Sequence, residues 1–159
     1  MRLILLRHAK SAWNTDAPTD HARPLNKRGQ RDAPRVGAAL RDRGWIPEIV
    51  LCSDARRTTE TWARMGPELA PEAPVLYRAD LYHAGVSQLT PLLAARTEQT
   101  VLVIGHNPGI EEMLLYFSGQ DREITTGNAA LLTTTATRWE QAGHRAWTLV
   151  ELIRPRELP

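Results

Sequence analysis

Apolar and polar positions alternate along this chain in two periods. Leu3-Ile4-Leu5-Leu6 is a short apolar run that stops abruptly at Arg7 and His8. A run of that length predicts a buried strand over residues 2–6. Val101-Leu102-Val103-Ile104, between polar ends, predicts a second strand over 100–105, and its continuous apolar character suits a parallel sheet. Glu48–Cys52 and the shorter Val75–Tyr77 read as strands as well. Between them the period changes. Ala33, Val36, Gly37 and Leu40 share one helical face, which predicts a helix from an Asn26 cap to about Arg43, with Gly44 as its stop. Pro34 should kink that helix or push its start later. A second helix is expected from about Arg56 to Leu69, ended by Pro71 and Pro74. Leu89, Leu92 and Leu93 predict a helix over 86–96, with Pro91 marking its first turn. Pro108-Gly109 opens a last helix with Ile110, Met113, Leu114 and Phe117 on its face. The segment from Arg7 to Leu25, broken by Pro18 and Pro24, is a long polar loop, and such loops tend to be functional.

The tail differs. Ala129–Ala136 and Ala146–Ile153 are β-rich and separated by a polar stretch containing Gly143, which predicts an antiparallel pair. Strand–helix alternation followed by such a pair predicts an α/β three-layer sandwich: a central mixed, mostly parallel sheet flanked by helices. The 159 residues fit one domain, residues 1–159.

Composition adds bounds more than direction. With 42% hydrophobic and 24% charged residues the chain is globular. A net charge of only +2, without a basic run or interleaved aromatics, gives no reason to expect nucleic acid, whereas an anionic small ligand fits. Cys52 is the only cysteine, so no intrachain disulfide can form and a reducing, cytoplasmic setting is expected. At a strand end it reads as a buried small apolar residue. The N-terminal apolar run is too short for a signal peptide, and no stretch approaches the ~20 apolar residues of a membrane span.

The candidate chemistry lies at three strand ends. The first ends in Arg7-His8. The second ends in Ser53, followed by Arg56 and Arg57 at a helix start. The 100–105 strand ends in Gly105-His106-Asn107-Pro108-Gly109, also at a helix start. In a parallel sheet these ends share one edge, where α/β proteins bind ligands. Two histidines and up to three arginines would converge there beside helix N-termini, which suits a phosphate group. Such a set suggests phosphoryl transfer to a histidine: a neutral imidazole attacks with one nitrogen while the other carries a proton. Neighbouring cations keep that imidazole neutral and bind the transferring oxygens.

Leu6-Arg7-His8-Ala9-Lys10-Ser11-Ala12-Trp13-Asn14 resembles the signature of the histidine phosphatase superfamily, whose fold is phosphoglycerate-mutase-like. Arg23-Pro24-Leu25, Ser53 to Thr61 and Gly105-His106-Asn107-Pro108 follow in that family's order. The short length and the Arg-His-Ala-Lys-Ser form look most like the SixA branch, the phosphohistidine phosphatases. The resemblance implies His8 as the nucleophile that becomes transiently phosphorylated. It implies Arg7 and Arg57 as the arginines that grip the phosphoryl group, with Arg56 the alternative to Arg57. His106 is implied as a second histidine on that group, and Asn14 and Arg23 as substrate-binding residues at the pocket. Ala9 stands where the family more often has glycine.

The general acid is the gap. Asp80, in Ala79-Asp80-Leu81-Tyr82-His83, is the nearest candidate, with His83 as an outsider. A phosphohistidine needs an acid less than an ester does, because its leaving imidazole departs as a neutral base once its other nitrogen is protonated. The expected function is therefore metal-independent phosphatase action on phosphohistidine carried by a protein, with no cofactor and no metal site. The alternatives are a phosphatase of small phosphorylated metabolites and a non-catalytic phosphate- or phosphohistidine-binding module. His21 and His83 read as surface residues, and no HxH, HExxH or Cys/His spacing points to metal.

Overall fold

The computed structural model describes residues 1–159. Six strands form one sheet: β1 (Arg2–Arg7), β2 (Ile49–Ser53), β3 (Val75–Arg78), β4 (Thr100–Gly105), β5 (Ala129–Thr133) and β6 (Thr148–Ile153). Their spatial order is β3-β2-β4-β1-β5-β6. Four helices accompany them: α1 (Lys27–Asp42), α2 (Arg56–Leu69), α3 (Val86–Ala94) and α4 (Gly109–Ser118). The β2–β3, β2–β4 and β1–β4 pairs are parallel, whereas β1–β5 and β5–β6 are antiparallel. The expected mixed, mostly parallel sheet is therefore present, with the antiparallel pair closing one side.

The strand pleat divides the apolar residues between two cores. Leu3, Leu5, Leu51, Val101 and Val103 pack with Leu89 and Leu93 of α3 and with Ile110, Met113, Leu114 and Phe117 of α4. Ile4, Leu6, Val50, Leu102 and Ile104 pack on the opposite face with Val36 and Leu40 of α1 and with Trp62, Met65 and Leu69 of α2. Successive side chains point to opposite faces of a strand, so a continuous apolar run is what a strand covered on both sides requires. Cys52 lies fully buried in the second core, as a small apolar residue would.

Two proline readings change. Pro34 does not delay α1: the helix starts at Lys27, and the Asn26 side chain accepts a hydrogen bond from the Gly29 N–H. The cap and the α1 face packed on α2 outweigh the one backbone bond that proline removes. Pro91 lies inside α3 and not in its first turn. Tertiary packing of Leu89 and Leu93 holds that helix despite it. Gly44 follows α1 with φ of 72° and gives its N–H to the Arg41 carbonyl, as a left-handed stop should.

The register sets the site. Arg7 pairs with Gly105, and Cys52 pairs with Ile104, so β1, β2 and β4 end at one level. Arg7-His8, Ser53 and His106 leave the sheet side by side. The loop from His8 to Leu25 returns over this edge and is pinned by the Ser11–Leu25 bridge. No helix is long and apolar enough to cross a membrane.

Candidate active site

His8 is 6% exposed, just past the end of β1. Its backbone N–H bonds the Gly105 carbonyl at 3.0 Å, and Gly127 donates to its carbonyl at 2.9 Å. Its Nδ1 lies 2.7 Å from the Ala9 carbonyl oxygen. A carbonyl only accepts, so Nδ1 carries the proton and Nε2 keeps its lone pair. The Ala9 N–H in turn bonds Thr61 Oγ1 at 3.0 Å, and that hydroxyl donates to the Arg57 carbonyl at 2.6 Å. The His8 tautomer is thus tied to the first turns of α2.

Burial pushes the His8 imidazole down to about 3, and the Arg57, Arg7 and Arg23 cations push the same way against the Ala9 hydrogen bond. Burial, with His8 and Arg57 as neighbours, likewise lowers His106 to about 3. Both rings are neutral at pH 7.

The two arginines are gripped from one side. Arg7 Nη1 donates to the Ile124 carbonyl at 3.0 Å. Arg57 gives Nη1 to the Asp20 carbonyl at 2.8 Å and Nη2 to its carboxylate at 3.1 Å. In each the Nε–H is buried and has no partner. Buried donors are normally paired, so two orphaned guanidinium edges beside a histidine mark a place for an anion. Arg56, the alternative at the α2 start, points outward and pairs with Glu60 at 2.7 Å.

His106 follows β4. Its Nε2 lies 2.8 Å from Ser53 Oγ, and its buried Nδ1 has no partner. Ser53 is fully buried, and its hydroxyl also accepts from the Ala55 N–H at 3.3 Å. The His106 ring is the one acceptor in reach of the Ser53 proton, so Ser53 donates to Nε2 and Nδ1–H becomes a third free donor. The His8 and His106 ring centroids are 5.2 Å apart.

The remaining sequence candidates divide. Arg23 is buried and clamped, by Asp20 at 2.9 Å, Ser11 at 3.0 Å and the Ala12 carbonyl at 3.1 Å, and it stacks 3.7 Å from the exposed Trp13 ring. Asn14 is exposed, with no hydrogen bond from its side chain. The Asp80 carboxylate makes no hydrogen bond to either histidine. It is half-exposed and bound in a fork by Arg78, at 2.8 and 2.7 Å. Asp80 lies in a short 3-10 turn after β3, Ala79–Leu81, and an arginine two residues away captures it. His83 packs against Tyr82, 4.0 Å between centroids, and His21 pairs with Asp54 at 2.8 Å.

Sequence reasoning overlooked several supporting residues. Asp20 accepts from Arg57, Arg23 and the Tyr82 hydroxyl, and the Tyr82 bond with these two arginines holds its carboxyl well below the usual carboxylate range. Its spacing of three from Arg23 was the available signal. Ile124 offers one carbonyl to both Arg7 and Asn107, and its N–H is fixed by Glu111 at 2.7 Å. Nothing in an apolar residue announces such a backbone role.

A family model described as the histidine phosphatase superfamily (branch 1) matches residues 3–86. The chain belongs to the histidine phosphatase superfamily. An uncharacterized chloroplastic protein of Arabidopsis thaliana is 36% identical, over 97% of this chain and 78% of its own length. Among solved structures, a candidate phosphohistidine phosphatase SixA from Agrobacterium tumefaciens matches with a TM-score of 0.84 and 28% identity, covering 97% of both chains. Its counterpart from Nakamurella multipartitia matches at 0.79 with 34% identity, over 97% of this chain and 95% of that one. Family and neighbours together make this chain a phosphatase of the SixA-type branch.

The neutral histidines predict an acid-labile fold. Unfolded, each ring titrates near 6.5; folded, each stays neutral to about 3. The unfolded chain therefore binds more protons in that window, so stability is full above pH 6.5 and falls as pH drops toward 3. The slope from the pair is up to about 2.7 kcal/mol per pH unit. Urea unfolding at pH 7, 5 and 4 reads it, and His8→Asn should roughly halve it.

Proposed function

We propose that this histidine phosphatase hydrolyses phosphohistidine carried on a protein, through a phosphorylated His8. One observation carries this reading: a neutral imidazole with Nε2 free stands among orphaned arginine donors, and the one carboxyl group bonded to that arginine set, Asp20, is held ionised and cannot serve as a proton donor.

His8 Nε2 attacks phosphorus as the substrate's N–P bond breaks, and the electron pair leaves on the substrate imidazole. The Arg7 and Arg57 Nε–H edges and the His106 Nδ1–H meet the equatorial oxygens, where charge must be stabilised. The His8 ring becomes cationic on phosphorylation, and the Ala9 carbonyl holds its Nδ1–H. Water then attacks phosphorus, the electron pair returns to His8 Nε2, and phosphate leaves with both water protons.

An ester demands more, since an alkoxide leaving group needs a proton in the transition state. The Arg78 fork on both Asp80 oxygens speaks against Asp80 as that donor. The sole cysteine, buried and unable to pair within the chain, supports work in a reducing compartment such as the cytoplasm. A partner bearing an exposed phosphohistidine fits a site that opens at the sheet edge.

Phosphate release, with chelator present, should be faster from a phosphohistidine-bearing protein than from p-nitrophenyl phosphate. Preference for the ester would move the function to small phosphorylated metabolites. Binding without turnover of either would favour the non-catalytic module.

A further inference from the structure

Building on the phosphohistidine reading, we propose that the cavity beside His106 seats the leaving imidazole, and that the Glu112 carboxylate accepts its N–H. The cavity measures about 210 Å³ and is lined by Tyr82, His83, Gly85, His106, Gly109 and Glu112, among others. It is smaller than the roughly 300–1,000 Å³ pockets that enclose drug-sized ligands. A single five-membered ring fits such a space better than a sugar or a nucleotide.

Its walls suit a flat heteroaromatic ring. His83 lies against Tyr82 at 4.0 Å, and Tyr82 meets His106 edge-on at 5.4 Å. Gly85 and Gly109 also line the cavity. A side chain at Gly85 would stand 3.0 Å from Glu112 Oε2, so glycine keeps the approach to that carboxylate open.

Glu112 is the exposed carboxylate on this cavity. It lies in the first turn of α4 beside Glu111, which is spent on the Ile124 N–H. The Glu112 carboxylate itself makes no hydrogen bond or ion pair, although it lines the cavity that reaches His106. Around His8 the field is cationic, from Arg57, Arg7 and Arg23. The Glu112 carboxylate, in the neighbouring cavity, repels phosphoryl oxygens and attracts a donor. A phosphorylated imidazole offers one when its ring is protonated: the N–H on the nitrogen that does not carry phosphorus.

The charge balance follows. In the protonated substrate ring, the N–P bond breaks and its electron pair stays on that nitrogen. The departing ring is then a neutral imidazole, still holding the proton on its other nitrogen. The positive charge passes to the His8 ring as its own N–P bond forms. Glu112 does for the leaving ring what the Ala9 carbonyl does for His8. Each holds the N–H opposite phosphorus, so no separate proton donor is required.

The test compares wild type with Glu112→Gln between pH 6 and 9, on free phosphohistidine and on p-nitrophenyl phosphate, with free imidazole as a binding probe. The kcat/KM ratio of phosphohistidine to ester should fall about ten-fold or more in the variant, the range of a charge-assisted hydrogen bond. The deficit should grow above pH 7, where the substrate ring is no longer protonated in solution. Imidazole should inhibit wild type competitively and shift the Gly85 and Gly109 amide resonances, with both effects weakened in Glu112→Gln. An unchanged ratio with unchanged imidazole inhibition overturns the proposal. So does an equal loss on both substrates, which would make Glu112 a proton donor to any leaving group. Should wild type cleave the ester and leave phosphohistidine intact, the substrate reading fails, and imidazole shifts at Gly85 and Gly109 still decide whether the cavity takes the ring.

Discussion

His8→Ala should lower phosphatase turnover by roughly 10⁴-fold or more, since the residue proposed to form the covalent intermediate cannot be replaced by its neighbours. The loss follows from a single lone pair. Nδ1 is committed to the Ala9 carbonyl, and the His106 ring is oriented by Ser53 with its Nε2 occupied. Only His8 Nε2 is both neutral and free at pH 7. Acid-quenched wild type, mixed with labelled substrate, should carry label on His8, and the variant should carry none. Substrate should still bind the variant, because Arg7, Arg57 and His106 remain. Turnover that survives His8→Ala, or that disappears with chelator in wild type, would refute the covalent mechanism.

Arg57→Ala should cost about 10²–10³-fold in kcat/KM, the scale seen when one donor to a developing oxyanion is removed. The variant loses the orphaned Nε–H edge, which is the part of Arg57 that Asp20 does not occupy. It also loses a cation that helps keep both imidazoles neutral, so the acidic limb of the pH–rate profile should move up. Arg57→Lys should recover little. A lysine offers a point charge and no planar fork, and it cannot hold the Asp20 carboxylate and carbonyl while also presenting an edge to the substrate. Steady-state kinetics on the phosphohistidine substrate separate the two effects. Activity within three-fold of wild type in Arg57→Ala would remove this arginine from the phosphoryl-binding set and return attention to Arg56.

The site residues were legible to different depths. Arg7, His8, Ser53, Arg57 and His106 could be placed on one edge because strand ends in a parallel sheet share a level, a consequence of backbone geometry alone. The structure brings them together with that register. What Asp80 binds is not revealed by spacing: Arg78 lies close enough in the turn to take both of its oxygens. Asn14 read as a polar residue in a signature, and the loop turns it to solvent. Asp20 carries no local signal beyond its place in a polar loop, three residues from Arg23. Its role depends on Arg57 and Tyr82, which lie 37 and 62 residues away along the chain.

From residue order alone came the layered α/β class, the antiparallel tail, both ends of α1, and the histidine and arginine at the first strand end. These rest on local periodicity, on capping chemistry and on the buried character of parallel strands, all of which a single chain carries in its pattern. Tertiary structure alone decided three things. It chose the imidazole nitrogen that is free, because that depends on where one carbonyl and one hydroxyl stand. It chose the face of each arginine left open, because Asp20 and Ile124 arrive from distant loops. It left Glu112 without a partner beside a small aromatic cavity, because α4 and the turn after β3 meet only in the folded chain. Hydrogen-bond direction and long-range closure are not written in any local window, and in this protein they set the chemistry.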